Sequence, residues 1–340
     1  QILKLKKLKS KILITGGAGY IGSYLSYKLK KKFDILIVDN LKSGNIKNIN
    51  NLQNVKFHKV DILNKKKLEN IFKKNKVDII IHLAALVKLD ESILEPQKYW
   101  KNNFIGTKNI LDCMVKYNVD KILFSSTAAV YKWSKKKLNE NDKIKLLNPY
   151  AETKFFSEEI IRIYSKLFNI KSVIFRFFNV SGANYRIKIG ERVKPPTHFI
   201  TILLHNILRN KYTTIFKGLK TPDKSGVRDY VHVQDICDAF EKAIKKYMTK
   251  KNDNRSFFQI FNLGTAKGNS AQETVYQARK IIKDRTFKIH DGEKRLGDQP
   301  IVVCDYKKAK KYLNWSPKNS NLKKIIMSSY KWEKYLKNEK

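Results

Sequence analysis

A tyrosine and a lysine stand four residues apart, at Tyr150 and Lys154, just after the dipeptide Asn148-Pro149. Asparagine suits the N-cap of a helix and proline suits its first turn, so the sequence predicts a helix over residues 149–168. The four-residue spacing places both side chains on one face of that helix. A lysine ammonium and the positive end of a helix both favour a phenolate, so Tyr150 is a candidate acid and base near neutral pH.

A tyrosine and a lysine at helical spacing are common by chance, so the pair alone is weak evidence. A nearby hydroxyl cluster strengthens the interpretation. Ser125-Ser126-Thr127 ends the apolar segment KILFSS, which predicts a strand over residues 121–126. Ligands of parallel α/β sheets bind at the carboxyl edge of the strands. The cluster and the tyrosine-lysine face are therefore expected to meet at that edge.

A second candidate site lies in the glycine-rich segment TGGAGYIG, residues 15–22, which follows the first predicted strand and opens the first helix. Gly16, Gly19 and Gly22 let the chain turn tightly and approach a pyrophosphate, while the helix N-terminus supplies N–H groups for the anion. The second predicted strand ends in Asp39, 17 residues after Gly22. A carboxylate there accepts hydrogen bonds from ribose hydroxyls and repels a 2′-phosphate, so NAD is favoured over NADP.

The elements that position these residues alternate along the first half of the chain. Apolar segments predict strands over residues 11–15, 34–39, 54–61, 77–84, 121–126 and 172–180, and amphipathic segments predict helices over 21–30, 65–74, 97–117 and 149–168. Strands that are apolar on both faces and alternate with helices indicate an α/β fold with a Rossmann-type, doubly wound parallel sheet.

The pattern changes after about residue 180, where loops and shorter elements dominate. We therefore predict a dinucleotide-binding Rossmann domain over residues 1–180 and a smaller α/β substrate-binding lobe over 181–340. The segments RDYVHV, residues 228–233, and FQIFNLG, residues 258–264, read as strands that return to the main sheet.

Composition narrows the possible partners. The chain has 340 residues and a formal net charge of +41, with 71 lysines and arginines against 30 acidic residues. A basic stripe would indicate nucleic acid or a membrane surface, but the lysines are spread evenly and no nucleic-acid motif is present. We predict neither partner, although such a field speeds the arrival of an anionic substrate.

The remaining composition indicates the compartment. Three cysteines without paired spacing favour a reducing compartment, and the six histidines show no ligand spacing, so no metal site is expected. His82 lies inside an apolar strand and reads as a hydrogen-bonded core imidazole. No secretion signal follows the basic start and no stretch is long enough to span a bilayer, so we expect a cytoplasmic protein.

Six motifs occur in an order and spacing that resemble a known family. TGGAGYIG, FSSTAAVY, NPYAETK, RFFNVSGA, GVRDYVHV and RLGD are similar to the successive signatures of UDP-galactose (UDP-glucose) 4-epimerases, members of the extended short-chain dehydrogenase/reductase family. The resemblance covers nearly the whole chain. It implies an isomerase with tightly bound NAD that oxidises a UDP-hexose to a 4-keto sugar and reduces it again on the opposite face.

The resemblance also implies roles for individual residues. Tyr150 would be the base at the sugar 4-hydroxyl, Lys154 would tune it and hold the nicotinamide ribose, and Thr127 would hydrogen-bond the reacting oxygen. The cofactor-binding residues would be Gly16, Gly19, Tyr20, Ile21, Gly22, Asp39, Asn40, Asp61, Ile62, Ala84, Ala85, Asn103, Ser125, Tyr150, Lys154 and Phe178. The substrate-binding residues would be Thr127, Tyr150, Asn179, His198, Phe199, Phe216, Arg228, Arg295, Asp298 and Val302.

Several positions depart from the family pattern or bear on its alternatives. Lys132 and Lys217 stand where the family usually has glycine, and Val87 stands where some members have lysine. Related 4,6-dehydratases and decarboxylases carry an acidic residue just after the Thr/Ser, whereas Ala128 and Ala129 fill those places here. A non-catalytic dinucleotide- or polyanion-binding protein with the same fold is the alternative from another class.

Two expectations concern the sugar and the assembly. In the family a large aromatic residue at the position of Val302 excludes N-acetyl groups, so the smaller valine predicts activity on UDP-N-acetylhexosamines beside UDP-glucose and UDP-galactose. The family expectation is a homodimer, formed through the helices near 97–117 and 149–168.

Overall fold

A seven-stranded parallel sheet forms the centre of the computed structural model, which describes residues 9–248, 257–283, 287–295 and 297–339. In spatial order the strands are β11 (Phe257–Leu263), β6 (Lys171–Phe177), β5 (Lys121–Thr127), β4 (Ile79–His82), β1 (Lys11–Thr15), β2 (Asp34–Asp39) and β3 (Val55–Lys59). The strand order reverses between β1 and β4, so the loops that follow these two strands diverge and open a crevice at the carboxyl edge. The predicted Rossmann-type fold class is confirmed.

The sheet is buried on both faces because its strands are apolar at consecutive positions. In β1, Ile12 and Ile14 join the core cluster on one face and Leu13 joins the cluster on the other face. Helices α1 (Tyr20–Leu29) and α8 (Val233–Ala243) cover the first face. Helices α2 (Lys65–Lys74), α5 (Gly106–Lys116) and α6 (Pro149–Leu167) cover the second face, so the sheet is wound on both sides as predicted.

The predicted helix over 97–117 differs in its first half. After α3 (Leu89–Leu94), the chain forms α4 (Pro96–Tyr99) and a π-helical segment, Trp100–Ile105, which runs into α5. Asn103 lies in this π-helical segment, and its amide bonds to Leu86 in the loop after β4 and to Thr153 of α6.

The second lobe has its own apolar cluster, which the helices α7 (Phe199–Leu208), α9 (Ala271–Ile282) and α11 (Leu322–Asn338) surround. Helix α10 (Lys307–Leu313) instead joins the core cluster on the first face of the main sheet. The short strands are β7 (Asn179–Ser181), β8 (Thr213–Phe216), β9 (Val227–Arg228), β10 (Tyr230–His232), β12 (Asn269–Ser270), β13 (Ile289–Gly292) and β14 (Ile301–Val302). Leu203, Ile215, Val275 and Ile325 are buried together between α7, α9 and α11.

The two strands that were expected to return to the main sheet behave differently. FQIFNLG does return, because β11 pairs with β6 at the edge of the sheet. RDYVHV does not, and that prediction is wrong: β10 pairs with β7, and β9 pairs with β12 and β14. The predicted strand over 172–180 ends at Phe177, and β7 leaves the main sheet to give β10 its partner. The division of the chain at residue 180 stays a prediction.

None of the helices in the described ranges is both long enough and apolar enough to cross a bilayer.

Candidate active site

The catalytic candidates meet at the carboxyl edge of β5. Thr127 ends that strand, and its Oγ1 accepts a hydrogen bond from the Ala129 N–H at 3.1 Å, which closes the turn that follows. Helix α6 begins at Pro149 as predicted, and Asn148 Oδ1 caps it by accepting from the Ala151 N–H at 2.9 Å. Tyr150 therefore stands in the first turn of α6, beside Thr127.

Burial has the largest effect on the pKa of the Tyr150 phenol. Burial raises the pKa of the phenol, and the Thr127 hydroxyl lowers it by less. Desolvation disfavours the charged form of the phenol. The expected help of Lys154 and the helix end towards the phenolate stays a prediction.

Lys154 is 3% exposed and shares the face of Tyr150, one turn further along α6. Its Nζ lies 4.1 Å from the centroid of the Phe124 ring. Burial lowers the pKa of Lys154 to about 7, while the charge of Glu158 acts in the opposite direction. The ammonium and amine forms are therefore close in free energy at neutral pH.

A buried ionic network lies beneath these residues, and the sequence motifs did not reveal it. Arg176 Nη2 and Glu158 Oε2 are 2.6 Å apart, and both side chains are buried. Ser126 Oγ donates to Glu158, and Arg176 Nη1 donates to the Tyr131 hydroxyl at 2.8 Å. The network ties α6 to β5, β6 and the turn after Thr127. The one sequence signal was Glu158, which repeats the four-residue spacing after Lys154.

His82 is the hydrogen-bonded core imidazole that the sequence predicted. Its Nδ1 lies 2.6 Å from Thr15 Oγ1 and its Nε2 lies 3.0 Å from Thr107 Oγ1. Because Thr107 Oγ1 already donates to the Asn103 carbonyl, it must accept from His82 Nε2–H. Burial lowers the pKa of His82 to about 3, so the ring is neutral.

The glycine-rich turn has the shape that a dinucleotide requires. Gly16 has a φ of +70°, and a Cβ on it would lie 2.8 Å from the Ala84 amide nitrogen. A Cβ on Gly22 would lie 2.3 Å from the Gly16 carbonyl oxygen, so only glycine allows this close approach. Gly19 is the N-cap of α1 and offers no side-chain cap, which leaves the first N–H groups of the helix available to an anion.

The end of β2 carries Asp39, the carboxylate that is predicted to bind the ribose. Asp39 Oδ2 accepts from the Ala18 N–H at 3.0 Å and Oδ1 accepts from the Leu41 N–H at 2.8 Å, while burial raises the pKa of the carboxyl group. Next to it, Asn40 Nδ2 donates to Asp61 Oδ2 at 2.9 Å. Glycines that tolerate no Cβ, an uncapped helix start and a fixed strand-end carboxylate together fit NAD.

The other residues predicted to bind the cofactor are held by hydrogen bonds or by packing against the cores. Tyr20 donates its hydroxyl hydrogen to the Gly182 carbonyl, and Ser125 Oγ donates to the His82 carbonyl at 3.2 Å. Ile21, Ile62, Ala84 and Phe178 are packed against the core clusters, and Ala85 follows β4 with partial exposure.

Asn103 has a structural role that the sequence did not predict. Its Oδ1 accepts from the Leu86 N–H at 2.8 Å, and its Nδ2 donates to the Leu86 carbonyl at 3.0 Å and to Thr153 Oγ1 at 3.1 Å. The amide thereby fastens the β4 loop to α6. Its predicted contact with the cofactor stays a prediction, and it would have to coexist with these bonds.

Four residues of the second lobe, Phe216, Arg228, Arg295 and Asp298, form a cluster that we call the nucleotide-binding cluster, after its predicted role. Asp298 forms ion pairs with Arg228 and, at 3.3 Å, with Arg295 Nη2. The Arg295 guanidinium carbon lies 4.5 Å from the centroid of the Phe216 ring. Val302 is adjacent, because it pairs with Arg228 between β14 and β9. These residues are far apart in sequence, and the structure brings them together.

The other predicted substrate residues lie near the junction of the two lobes. Asn179 opens β7, and its N–H donates to the Asp229 carbonyl at 2.9 Å. His198 precedes Phe199, the first residue of α7, and its Nδ1 lies 2.9 Å from Glu191 Oε1. The carboxylate raises the pKa of His198 against the opposing effect of burial. The His198 ring centroid is 6.3 Å from that of Tyr20, so cofactor and substrate candidates adjoin here.

Comparisons with known proteins agree with this arrangement. Residues 12–264 match the model of the NAD dependent epimerase/dehydratase family. A UDP-glucose 4-epimerase of Lactobacillus helveticus is 37% identical over 330 residues, which cover 95% of this chain and 97% of that protein.

Solved structures agree as well. The UDP-glucose 4-epimerase of Bifidobacterium longum, solved in complex with NAD+ and UDP, superimposes with a TM-score of 0.89 at 29% identity, covering 97% of this chain and 99% of that one. The UDP-Glc/GlcNAc 4-epimerase of Campylobacter jejuni superimposes with a TM-score of 0.80 at 32% identity, covering 96% of this chain and 99% of that one. The parallel sheet, the glycine-rich turn and the sequence relatives lead to one conclusion: this chain belongs to the NAD dependent epimerase/dehydratase family.

Proposed function

We propose that the protein is an isomerase, an NAD-dependent 4-epimerase of UDP-hexoses that interconverts UDP-glucose and UDP-galactose and also accepts UDP-N-acetylhexosamines. The observation that carries the proposal is the placement of Thr127, Tyr150 and Lys154 at the sheet edge that bears the dinucleotide turn. The Lactobacillus helveticus relative, named for this activity, covers nearly the whole chain and supports it.

NAD would be held by the glycine-rich turn, Asp39 and the uncapped start of α1. When bound, it supplies the acceptor and donor of the hydride at the sugar C4. The raised pKa of Tyr150 and the lowered pKa of Lys154 both follow from desolvation in a closed site. A positive charge bound beside Tyr150 would favour its phenolate form, so cofactor binding would prepare Tyr150 to act as a base.

The proton is handled by this chain's own side chains. Tyr150 takes the proton of the 4-hydroxyl and later returns it to the same oxygen, which is a 4-keto group in between. Thr127 hydrogen-bonds that oxygen, and Lys154 holds the nicotinamide ribose and stabilises the phenolate. The Thr127 hydroxyl is held at the end of β5 by its bond from Ala129, so it does not move with the sugar.

The residues after Thr127 distinguish epimerisation from its rivals. An elimination needs a second acid or base next to the reacting sugar carbons. Ala128 and Ala129 form a short 3-10 turn at this place and supply none. The chain is therefore equipped for oxidation and reduction at one carbon, without loss of water or carbon dioxide.

The nucleotide-binding cluster provides the affinity. Two arginines suit a diphosphate, the Phe216 ring suits the flat face of uracil, and Asp298 can accept hydrogen bonds from the ribose hydroxyls. Binding energy placed on the UDP group leaves the hexose free to turn about the diphosphate link. That freedom is what presentation of the opposite sugar face requires.

Sugar choice follows from Val302, which is buried against Ala128 and Phe178. A valine leaves more room than an aromatic side chain, and that room suits an acetamido group. The Campylobacter jejuni relative, a UDP-Glc/GlcNAc 4-epimerase, supports a site of this breadth.

The assembly we propose is a homodimer formed by the second-face helices. Phe156, Ile163 and Leu167 lie on one side of α6 and are 43%, 45% and 65% exposed, and Trp100 packs 5.5 Å from the Phe156 ring centroid. Large apolar side chains grouped in this way favour burial against a second copy. Phe156→Lys should yield a monomer in sedimentation, and an unchanged mass would exclude this face.

We also propose a cytoplasmic location, where three buried free thiols stay reduced.

The direct test supplies purified protein with UDP-galactose and no added cofactor and follows UDP-glucose. Conversion is expected, because a tightly held cofactor returns to its starting state in each cycle. Tyr150→Phe should abolish conversion and keep UDP affinity. A parent without conversion would exclude the epimerase, and a keto-deoxy product would indicate a dehydratase.

A further inference from the structure

We propose that Gln299 is a further sugar-binding residue whose amide oxygen accepts a hydrogen bond from a hydroxyl or acetamido N–H of the hexose. This inference rests on the proposed function, because it names a contact to the same substrate. Gln299 belongs to none of the motifs above and lies next to Asp298 in the chain.

Gln299 lies between the two ends of the proposed site. On one side it follows Asp298, which pairs with Arg228 in the nucleotide-binding cluster. On the other side its Nε2 donates to the Tyr131 carbonyl at 3.0 Å. Tyr131 closes the turn that begins at Thr127, through its N–H bond to the Ala128 carbonyl at 3.1 Å. The Gln299 side chain thus connects the nucleotide end of the site to its catalytic end.

The amide is left half satisfied in that position. Gln299 is 7% exposed, and within the described ranges its Oε1 is buried without a hydrogen-bond partner. An amide oxygen can accept two hydrogen bonds, and buried polar atoms in native proteins are nearly always paired. A buried acceptor beside a binding site is best explained by a donor that the ligand brings.

The chemistry of this acceptor defines the group that it takes. An amide oxygen is neutral and does not titrate, so it repels phosphate and carboxylate oxygens but accepts from hydroxyl and N–H groups. Both UDP-hexoses and their N-acetyl forms carry such donors on the ring. Gln299 moves no proton in the reaction. Its contribution is to hold the ring, and a site with an unpaired polar atom discriminates against sugars that lack the matching donor.

The test uses Gln299→Met, which keeps the length of the side chain and removes the acceptor together with the Nε2 bond to the Tyr131 carbonyl. Loss of that bond alone would weaken UDP and UDP-galactose equally, so the comparison of the two ligands isolates the acceptor. Binding of UDP-galactose and of UDP is measured by calorimetry in a Tyr150→Phe background, so that no turnover intervenes. We expect about a tenfold loss of UDP-galactose affinity with UDP affinity unchanged, because UDP has no hexose. Gln53→Met, at an exposed glutamine before β3, is the matched control and should change neither affinity.

A second measurement follows turnover in the protein that retains Tyr150. Gln299→Met should lower kcat/KM for UDP-galactose by about tenfold. UDP-arabinose, which lacks the hydroxymethyl group, and UDP-2-deoxygalactose, which lacks the 2-hydroxyl, then identify the donor. The penalty of the substitution is smallest for the sugar that lacks the donor group.

Two results would overturn the proposal. Equal losses for UDP and UDP-galactose would show that Gln299 only supports the loop, and no loss for either would show that its oxygen does not meet the sugar. Failure of the proposed function is recognised separately. A parent protein that does not interconvert the two sugars lacks the activity, while the two affinities still decide the role of Gln299.

Discussion

Replacing Lys154 with methionine is expected to stabilise the cofactor-free fold while it removes activity. The unfolded lysine titrates near 10.5, and burial lowers the pKa of the folded group to about 7. Between these values the unfolded chain binds more protons than the folded chain, so stability rises with pH through this window. Below pH 7 both states are protonated, and the full cost of burying the ammonium is present.

The size of the effect follows from the two pKa values. One pKa unit corresponds to about 1.4 kcal/mol, so burial of Lys154 costs about 4 kcal/mol at pH 7, about 3 kcal/mol at pH 8.5 and about 1 kcal/mol at pH 9.5. Methionine fills a similar volume without a charge. Lys154→Met should therefore exceed the parent in stability by a margin that shrinks as the pH rises.

The assay is urea unfolding of both proteins at these three pH values, after removal of bound cofactor, because a ligand would stabilise the native state by itself. Lys166→Met, at an exposed position of the same helix, is the control and should show no pH-dependent margin. If the difference in free energy of unfolding is constant with pH, or if the methionine variant is less stable at every pH, burial of Lys154 does not destabilise the fold.

Three further outcomes test other parts of the site. Val302→Tyr should remove activity on UDP-N-acetylhexosamines and keep that on UDP-galactose, and unchanged N-acetyl activity would eliminate this residue as the gate. Asp39→Ser removes the carboxylate that repels a 2′-phosphate, so the cofactor-free variant should shift its binding preference from NAD towards NADP by about tenfold or more. An unchanged ratio of the two affinities would contradict this role of Asp39. Glu158→Gln leaves Arg176 buried without its partner and should lower the free energy of unfolding by about 3–5 kcal/mol in urea titrations. Glu159→Gln, in an exposed pair, should cost less than about 1 kcal/mol, and equal costs would show that burial of the pair is irrelevant.

The sequence predicted those elements whose signals are local. Apolar runs gave the strands, Asn148-Pro149 gave the start of α6, and the glycine-rich turn followed directly from its spacing. The pairing of RDYVHV could not be predicted from local signals, because the partner of a three-residue strand depends on which strand the rest of the fold places beside it. Its partner, β7, exists only because the chain departs from the main sheet at Phe178.

The site was predictable in its residue types and less so in its energetics. The spacing of Tyr150 and Lys154 indicated their shared face, but their pKa values depend on burial, which no spacing reveals. The Glu158–Arg176 pair joins residues from a helix and a strand, and the amide of Gln299 becomes informative only when its unpaired oxygen is seen. Such properties arise from packing between segments that are distant in sequence.

In the proposed reaction one sugar carbon is oxidised and then reduced by a cofactor that never leaves the protein. The most direct test uses UDP-galactose that carries deuterium at C4, incubated with the purified protein and an excess of unlabelled NADH. UDP-glucose that retains the deuterium at C4 is expected. UDP-glucose with hydrogen at C4, or a product deoxygenated at C6, would contradict this mechanism.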